Sequence, residues 1–386
     1  MVNLFKTGFR RNGKQPMKTV IIRSCLETLT PRAFKNAQGL AASGYDVVLL
    51  AWDRKAKSPK REVKDGYQAR RFRFRAPYGL KVLIYLPVWW CFEFLWLMNN
   101  RWDIVHAMDF DTLPPAMLAA RLKRKPVIYE IADVYEDMVA LPSLIRNISM
   151  WVDRLFICLA SAIIISDEAR IKEFGGIPND RITVIYNSPP DLFQEAGTPT
   201  GTGNEFTLFY SGALHEERQA NLDKVARAIQ DIDGIALVIA GYGNQTGQMT
   251  QWAAEAPGKI EFAGYTDYTE TLQRTMAADV IISLYAPVLL NTRYASANKL
   301  FEAMMCGKPV LVSKGTAMAD IVEKEHCGLA LDPDNIDEIR EAIAKLRENP
   351  GLYQQLGANG RKAYEQRYNW ATMRQRLLNL YQEVAR

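Results

Sequence analysis

Short apolar runs alternate along this chain with longer stretches in which apolar positions recur at helical spacing. The first run covers residues 19–23. A helix follows over 31–43, with Phe34, Ala37 and Leu40 on one face and Gly44 to end it, and a second strand spans 47–51. Strand, helix and strand in such close succession predict a right-handed βαβ unit of a parallel sheet. The alternation continues through strands opening at Asp103, Val127, Ala162 and Arg181, with helices at 114–122 and 144–159 between them. It resumes with strands at 206–210, 237–240, 260–264, 279–284 and 310–312 and a helix at 221–230. Charged amphipathic helices follow at 337–347 and 352–367.

This pattern predicts an α/β chain of two doubly wound, Rossmann-like parallel-sheet domains facing a central cleft. Its 386 residues have room for two domains of roughly 150–200 residues each. A flexible basic tail at 1–16 precedes a first domain at 17–196. Residues 197–204, rich in Gly, Thr and Pro, form the linker to a second domain at 205–367, and 368–386 is a terminal segment.

The stretch with the clearest chemistry is 295–313, ASANKLFEAMMCGKPVLVS. Its helix sets Lys299 and Glu302 on one face, with Leu300, Phe301 and Met304 inward; Gly307 suits a left-handed cap and Pro309 cannot continue the turn. A helix start here faces a phosphate well; Lys299 adds a charge, and Glu302 can accept paired hydroxyls. Read blandly, the two are an exposed ion pair. Gly212, at a strand end, lets a backbone approach a diphosphate that Arg218 can grip bidentately. Gly241 and Gly243 read as a tight turn. In the first half His106, Asp109, Asp133 and Glu136 fall near predicted strand ends, where ligands gather in open α/β sheets. The loop after the first strand has no G-x-G-x-x-G, which argues against a dinucleotide cofactor.

The net charge of +5 is unevenly placed: residues 54–75 carry ten Lys/Arg against Glu62 and Asp65. Four tryptophans follow (Trp89, Trp90, Trp96, Trp102), in a stretch where 82–98 holds one charge, Glu93, and one proline, Pro87. That is short for a membrane span. It reads mainly as a core helix, and beside the basic patch 54–102 also suits peripheral contact with an anionic membrane. No nucleic-acid recognition motif accompanies the patch. Cys25, Cys91, Cys158, Cys306 and Cys327 lack C-x-x-C spacing, and residues 1–18 lack an apolar leader core, so a cytoplasmic protein with reduced thiols is expected. No D-x-D or His/Cys cluster points to a metal.

NKLFEAMMCGKPVLVS resembles the nucleotide-sugar segment of glycosyltransferase family 4, retaining transferases of GT-B fold. The family's E-x7-E places its second acid at Glu302, which would hold the donor ribose; Tyr294 stands at the first. A Ser/Asn-Lys-x-x-Glu variant fits Asn298, Lys299 and Glu302. DIVHAMD resembles the family's D-V-V-H-x-H-D, matching His106 and Asp109, and Asp133 follows Ala132 where members commonly have His. In the family's G-R-x4-K, Gly212 matches, Ala213 replaces the Arg and Arg218 takes the Lys position. The resemblance also puts Gly264 and Tyr265 near the base, Leu300 in the donor segment, and the terminal helix back on the first domain.

The resemblance implies a metal-independent transferase using a nucleoside diphosphate sugar, with UDP favoured over GDP, and no other cofactor. Arg218, Lys299 and the Gly212 backbone would steady the leaving diphosphate, while His106, Asp109 and Asp133 position sugar and acceptor. A glycan or lipid-linked acceptor of a surface polysaccharide fits the basic aromatic half. The rivals are a non-catalytic GT-B partner and, with three His in all, less readily a nucleotide-sugar epimerase.

Overall fold

The computed structural model describes residues 15–24, 31–77, 79–131, 143–173, 179–193, 205–216, 220–294 and 296–386. The chain divides into two units, Met1–Ile185 with Arg374–Arg386, and Tyr186–Met373.

The first unit is built on one sheet of β1 (Lys18–Arg23), β2 (Asp46–Asp53), β3 (Arg61–Lys64), β4 (Tyr67–Arg73), β5 (Ile104–Met108), β6 (Val127–Ile131), β7 (Ala162–Ile165) and β8 (Ile182–Val184). Their order is β3-β4-β2-β1-β5-β6-β7-β8, parallel throughout except for β3 against β4. Successive side chains on a strand face opposite ways. Val20, Ile22, Leu50, Val105 and Ala107 join a core with Trp89, Ala116 and Ile157 of the helices Leu86–Asn99, Leu113–Lys123 and Ser143–Leu159. The alternate positions Thr19, His106 and Glu130 meet Arg32 and Asn36 of the helix Pro31–Ala41 and Tyr381 of the terminal helix Trp370–Val384.

The β3–β4 hairpin is the main element that the hydrophobic pattern missed. Its strands are polar and partly exposed, so no apolar run announces them. The available signal was Asp65-Gly66: both have positive φ, 49° and 83°, and close a two-residue turn between the paired Lys64 and Tyr67. The core reading of the aromatic stretch holds. Trp89 is buried and stacks on Trp52 with centroids 5.8 Å apart, and Trp102 is buried too.

The unit boundary falls at Ile185, before the expected domain end at 196. Tyr186 packs against Phe301 and Tyr368, with ring centroids 5.5 and 5.1 Å away, and Pro189 and Asp191 accept hydrogen bonds from Tyr364 and Arg361. These contacts make residues 186–193 part of the second unit. The linker at 197–204 and the first fourteen residues of the tail lie outside the described residues.

The second unit has β9 (Phe206–Ala213), β10 (Ile235–Tyr242), β11 (Ile260–Gly264), β12 (Val280–Ser283), β13 (Val310–Ser313) and β14 (Gly328–Leu331), all parallel, in the order β11-β10-β9-β12-β13-β14. From central β9 the chain winds outward through β10 and β11, then returns to β12 on the other side. That reversal opens a crevice at the carboxyl ends of β9 and β12. The helix Asn298–Met305 lies between β12 and β13 in the chain. Gly307 ends it at φ 64°, as its position before Pro309 suggests, and the Lys308 N–H returns to the Ala303 carbonyl at 2.9 Å.

Candidate functional site

The crevice of the second unit collects most of the described donor-side residues. Lys299, the second residue of its helix, is buried rather than exposed. Its ammonium lies 3.6 Å from the Tyr210 ring centroid and 4.7 Å from that of Tyr285, and donates to the Tyr285 hydroxyl at 2.8 Å. Tyr210 comes from β9 and Tyr285 from just beyond β12, so the two strands flanking the reversal supply the cage. Aromatic faces favour a cation there.

Gly212 completes this corner. A Cβ on it would stand 3.3 Å from both the Lys299 Nζ and the Tyr210 hydroxyl, so only glycine leaves the approach to the ammonium open. Gly241, its partner on β10, is held even closer: a Cβ there would collide with the Gly212 carbonyl. The G-x-G at the end of β10 is thus a close-packing device rather than a plain turn. Ala297 occupies the N-cap position of the Asn298–Met305 helix and has no polar side chain of its own to cap it. Asn298 stands at the first turn half-buried, and Leu300 is buried in the core.

Glu302 is buried one turn after Lys299. Tyr268 donates its hydroxyl to the Glu302 carboxylate; burial first, then the Glu302 charge, raise that phenol far above its ordinary pKa. As a whole Tyr268 is 41% exposed, so its ring reaches outward while its polar end is tucked onto the acid. The same two causes push the Cys306 thiol up to about 12, which leaves it inert. Glu302 is therefore a buried acceptor already engaged by a hydroxyl. Gly264 ends β11 at φ 69°, and Tyr265 beyond it meets Tyr242 edge-on, centroids 5.8 Å apart. Tyr242, Tyr268, Tyr210 and Tyr285 carried no distinguishing sequence signal, since scattered tyrosines mark nothing until strands bring them together.

In the first unit the carboxyl ends of β2, β1 and β5 form a buried charge cluster. Asp109 pairs with Arg23, and Ser24 donates to Asp111, which also lies 3.8 Å from Arg54. Asp109 sits at φ 63°, a strained conformation for a non-glycine residue that its ion pair helps to hold. Burial raises the Asp111 carboxyl even against the pull of Ser24, Arg23 and Arg54.

His106 does not join this cluster. It is the third residue of β5, fully buried, with Nδ1 2.9 Å from the Tyr381 hydroxyl and Nε2 2.7 Å from Glu130. We assign it the tethering of the terminal helix rather than contact with a sugar; the strand end lies two residues beyond where its pattern suggested. Asp133 and Arg218 lie outside the described residues. Among the described residues no group of His, Cys, Asp and Glu could hold a metal ion.

Comparison with known proteins adds to this geometry. The family model "Glycosyl transferases group 1" matches residues 194–363, and "Glycosyl transferase 4-like domain" matches residues 29–188. An uncharacterized glycosyltransferase of Methanocaldococcus jannaschii, MJ1607, is 22% identical over 377 residues, covering 89% of this chain and 91% of that protein. The GDP-mannose-dependent monoacylated alpha-(1-6)-phosphatidylinositol monomannoside mannosyltransferase of Corynebacterium glutamicum is 25% identical over 154 residues, 39% of each chain. Among solved structures, HepE of Anabaena in complex with UDP is similar at a TM-score of 0.68 and 16% identity, covering 95% of this chain and 100% of that one. At that identity the likeness is one of fold.

Proposed function

The chain belongs to the family 4-like glycosyltransferases of GT-B fold, and we propose that it moves a sugar with retention from a nucleoside diphosphate sugar to a lipid-linked or surface-polysaccharide acceptor. One observation carries this reading: the Lys299 ammonium, the glycine-cleared Gly212 backbone and the buried Glu302 acceptor stand together at the sheet's reversal. The diphosphate takes Lys299, Gly212 and the start of the Asn298–Met305 helix, with Arg218 as a further cation. Glu302 takes the ribose hydroxyls, exchanging the Tyr268 hydroxyl for them. Gly264 and Tyr265 border the base.

Charge grows on the leaving diphosphate as the glycosidic bond breaks, and a preorganised ammonium stabilises that charge most where water is excluded. In the front-face scheme the departing phosphate takes the acceptor proton, so no protein base is required. Asp109, held by Arg23, and Asp133 position sugar and acceptor. We favour a UDP-sugar, supported by the UDP held by HepE, and an acceptor at the cytoplasmic face of a membrane, supported by the phosphatidylinositol mannoside named for the mannosyltransferase. The transfer needs no resident metal on this reading, so chelation leaves its rate unchanged.

Calorimetric titration with UDP, GDP and ADP, repeated on Glu302→Ala, tests the assignment. Binding of one nucleotide, lost in the variant, supports it. Binding of none gives the non-catalytic GT-B partner the lead.

A further inference from the structure

Three helices cover one face of the first unit's sheet, and each turns an apolar stripe outward. Leu86–Asn99 exposes Val88 and Leu95, Leu113–Lys123 exposes Leu118 and Leu122, and Ser143–Leu159 exposes Trp151 and Leu155. Trp151 is 66% exposed and Leu122 59%, whereas a helix that faces only water carries polar side chains on that side. The middle helix packs against both neighbours, so the stripes run side by side. Packed helices lie roughly 8–10 Å apart, which makes the stripes one surface rather than scattered residues.

Charge narrows the partner. The acids on these helices, Glu93 and Asp153, are both buried, Asp153 accepting from the Tyr129 hydroxyl at 2.7 Å. Exposed charge on the three helices is cationic, Arg121 and Arg154, and Lys81, Arg101 and Arg124 are exposed just beyond their ends. Tryptophan, leucine and arginine with no exposed acid on the three helices themselves suit the interface of an anionic bilayer. No helix among the described residues is long and apolar enough to cross a membrane, so the contact is lateral.

We propose that this three-helix face seats the protein on an anionic membrane surface. Within 54–102 it draws on the outward side of one helix only. The tryptophans Trp89 and Trp102 are core residues, and the basic β3–β4 hairpin lies at a sheet edge, whereas Ser143–Leu159 connects β6 and β7 toward the opposite edge. The inference deepens the lipid-linked acceptor reading and rests on it for its purpose.

Flotation of the full chain with vesicles of phosphatidylcholine alone, or with phosphatidylglycerol added, tests it at about 0.15 M salt, where the Debye length is about 8 Å. Wild type floats with the anionic vesicles only. The double variant Trp151→Glu, Leu155→Glu loses at least about tenfold in partitioning. Arg61→Glu with Lys64→Glu in the hairpin changes it by less than about twofold, since exposed charges beyond a Debye length are screened. A wild-type melting curve for each variant excludes misfolding, and UDP titration of the same samples reads the donor site separately. The proposal is overturned if wild type does not float, if it floats equally with neutral vesicles, or if the Trp151, Leu155 variant floats undiminished. It is also overturned if that variant breaks a dimer seen on gel filtration, which would make the face a protein interface.

Discussion

His106 and Tyr381 stand 275 positions apart in the chain and meet in a 2.9 Å hydrogen bond within one unit. Thr19 also donates to the Tyr381 hydroxyl, and Arg376 of the same helix donates to the Val184 carbonyl at 2.9 Å. The terminal helix is thus tied to β1, β5 and β8 through buried polar contacts. Tyr381→Phe leaves the His106 Nδ1 without its partner in the core. It is expected to cost about 1–3 kcal/mol in urea denaturation, while nucleotide affinity stays at the wild-type value because the donor residues lie in the other unit.

Glu130 holds the same network from β6. Burial raises its pKa, but the Arg32 charge and the His106 hydrogen bond outweigh that and lower it from 4.5 to about 2. A carboxyl depressed in the folded state stabilises the fold above its unfolded pKa and loses that contribution as pH falls through the folded value. Wild type therefore loses stability between about pH 4.5 and pH 2 through this group. Glu130→Gln flattens that limb and, by leaving Arg32 buried without its counter-charge, costs about 3 kcal/mol at neutral pH. Denaturation midpoints across pH measure both effects.

Glu93 has the opposite shift. It is fully buried, and neither carboxyl oxygen has a hydrogen-bond partner among the described residues. Burial, then the nearby Asp111 charge, raise its pKa well above 4.5. Such a group favours the fold below its unfolded pKa and loses that contribution as pH rises through the folded value. Glu93→Met, of similar volume, is expected to be more stable than wild type at pH 8 by about 1–3 kcal/mol. The gain shrinks toward pH 4, and paired melting curves at the two pH values show it.

Lys299 is expected to dominate donor affinity. Lys299→Met lowers UDP affinity at least about tenfold, or about 1.4 kcal/mol. Lys299→Arg does not restore it, because the cage between Tyr210 and Tyr285 is shaped for a compact ammonium rather than a planar guanidinium. Calorimetry on the two variants decides between a positional and a merely electrostatic role.

Gly241→Ala forces β10 away from the Gly212 carbonyl. Backbone cannot yield as a flexible side chain can, so the second unit loses about 2 kcal/mol or more, with weaker UDP binding as Gly212 shifts. Gly264→Ala makes a useful contrast. A Cβ there meets nothing within 4 Å, and only the φ of 69° opposes it, so it costs about 1–2 kcal/mol. Thermal melts rank the two.

Much of this was legible locally. A buried parallel strand is a mainly apolar run and an amphipathic helix a periodic one, so 127–131 matches β6 at both ends despite Glu130, and the half-buried 260–264 matches β11. Gly307 before Pro309 likewise specified its cap, since few residues other than glycine adopt that backbone readily. Lys299 and Glu302 could be singled out by spacing, yet spacing left open whether they were an exposed pair or a site. Burial of both rules out the exposed pair, and burial depends on which strands arrive beside the helix. The hairpin escaped because its strands are not apolar. His106 was misplaced by two residues because strand ends are set by sheet register, which the neighbouring strands impose.

Residue pattern alone, then, settles the parallel α/β architecture and two winding halves and singles out the stretch 295–313, because hydrophobic period and turn chemistry act within a few residues. The tyrosine cage around Lys299, the clearance of Gly212 against Gly241, and the burial of Glu93 and Asp153 behind an apolar outer face arise only in the folded chain. Each joins positions distant in sequence, or turns one side of a helix inward and the other out. Packing of strands and helices against one another fixes those choices.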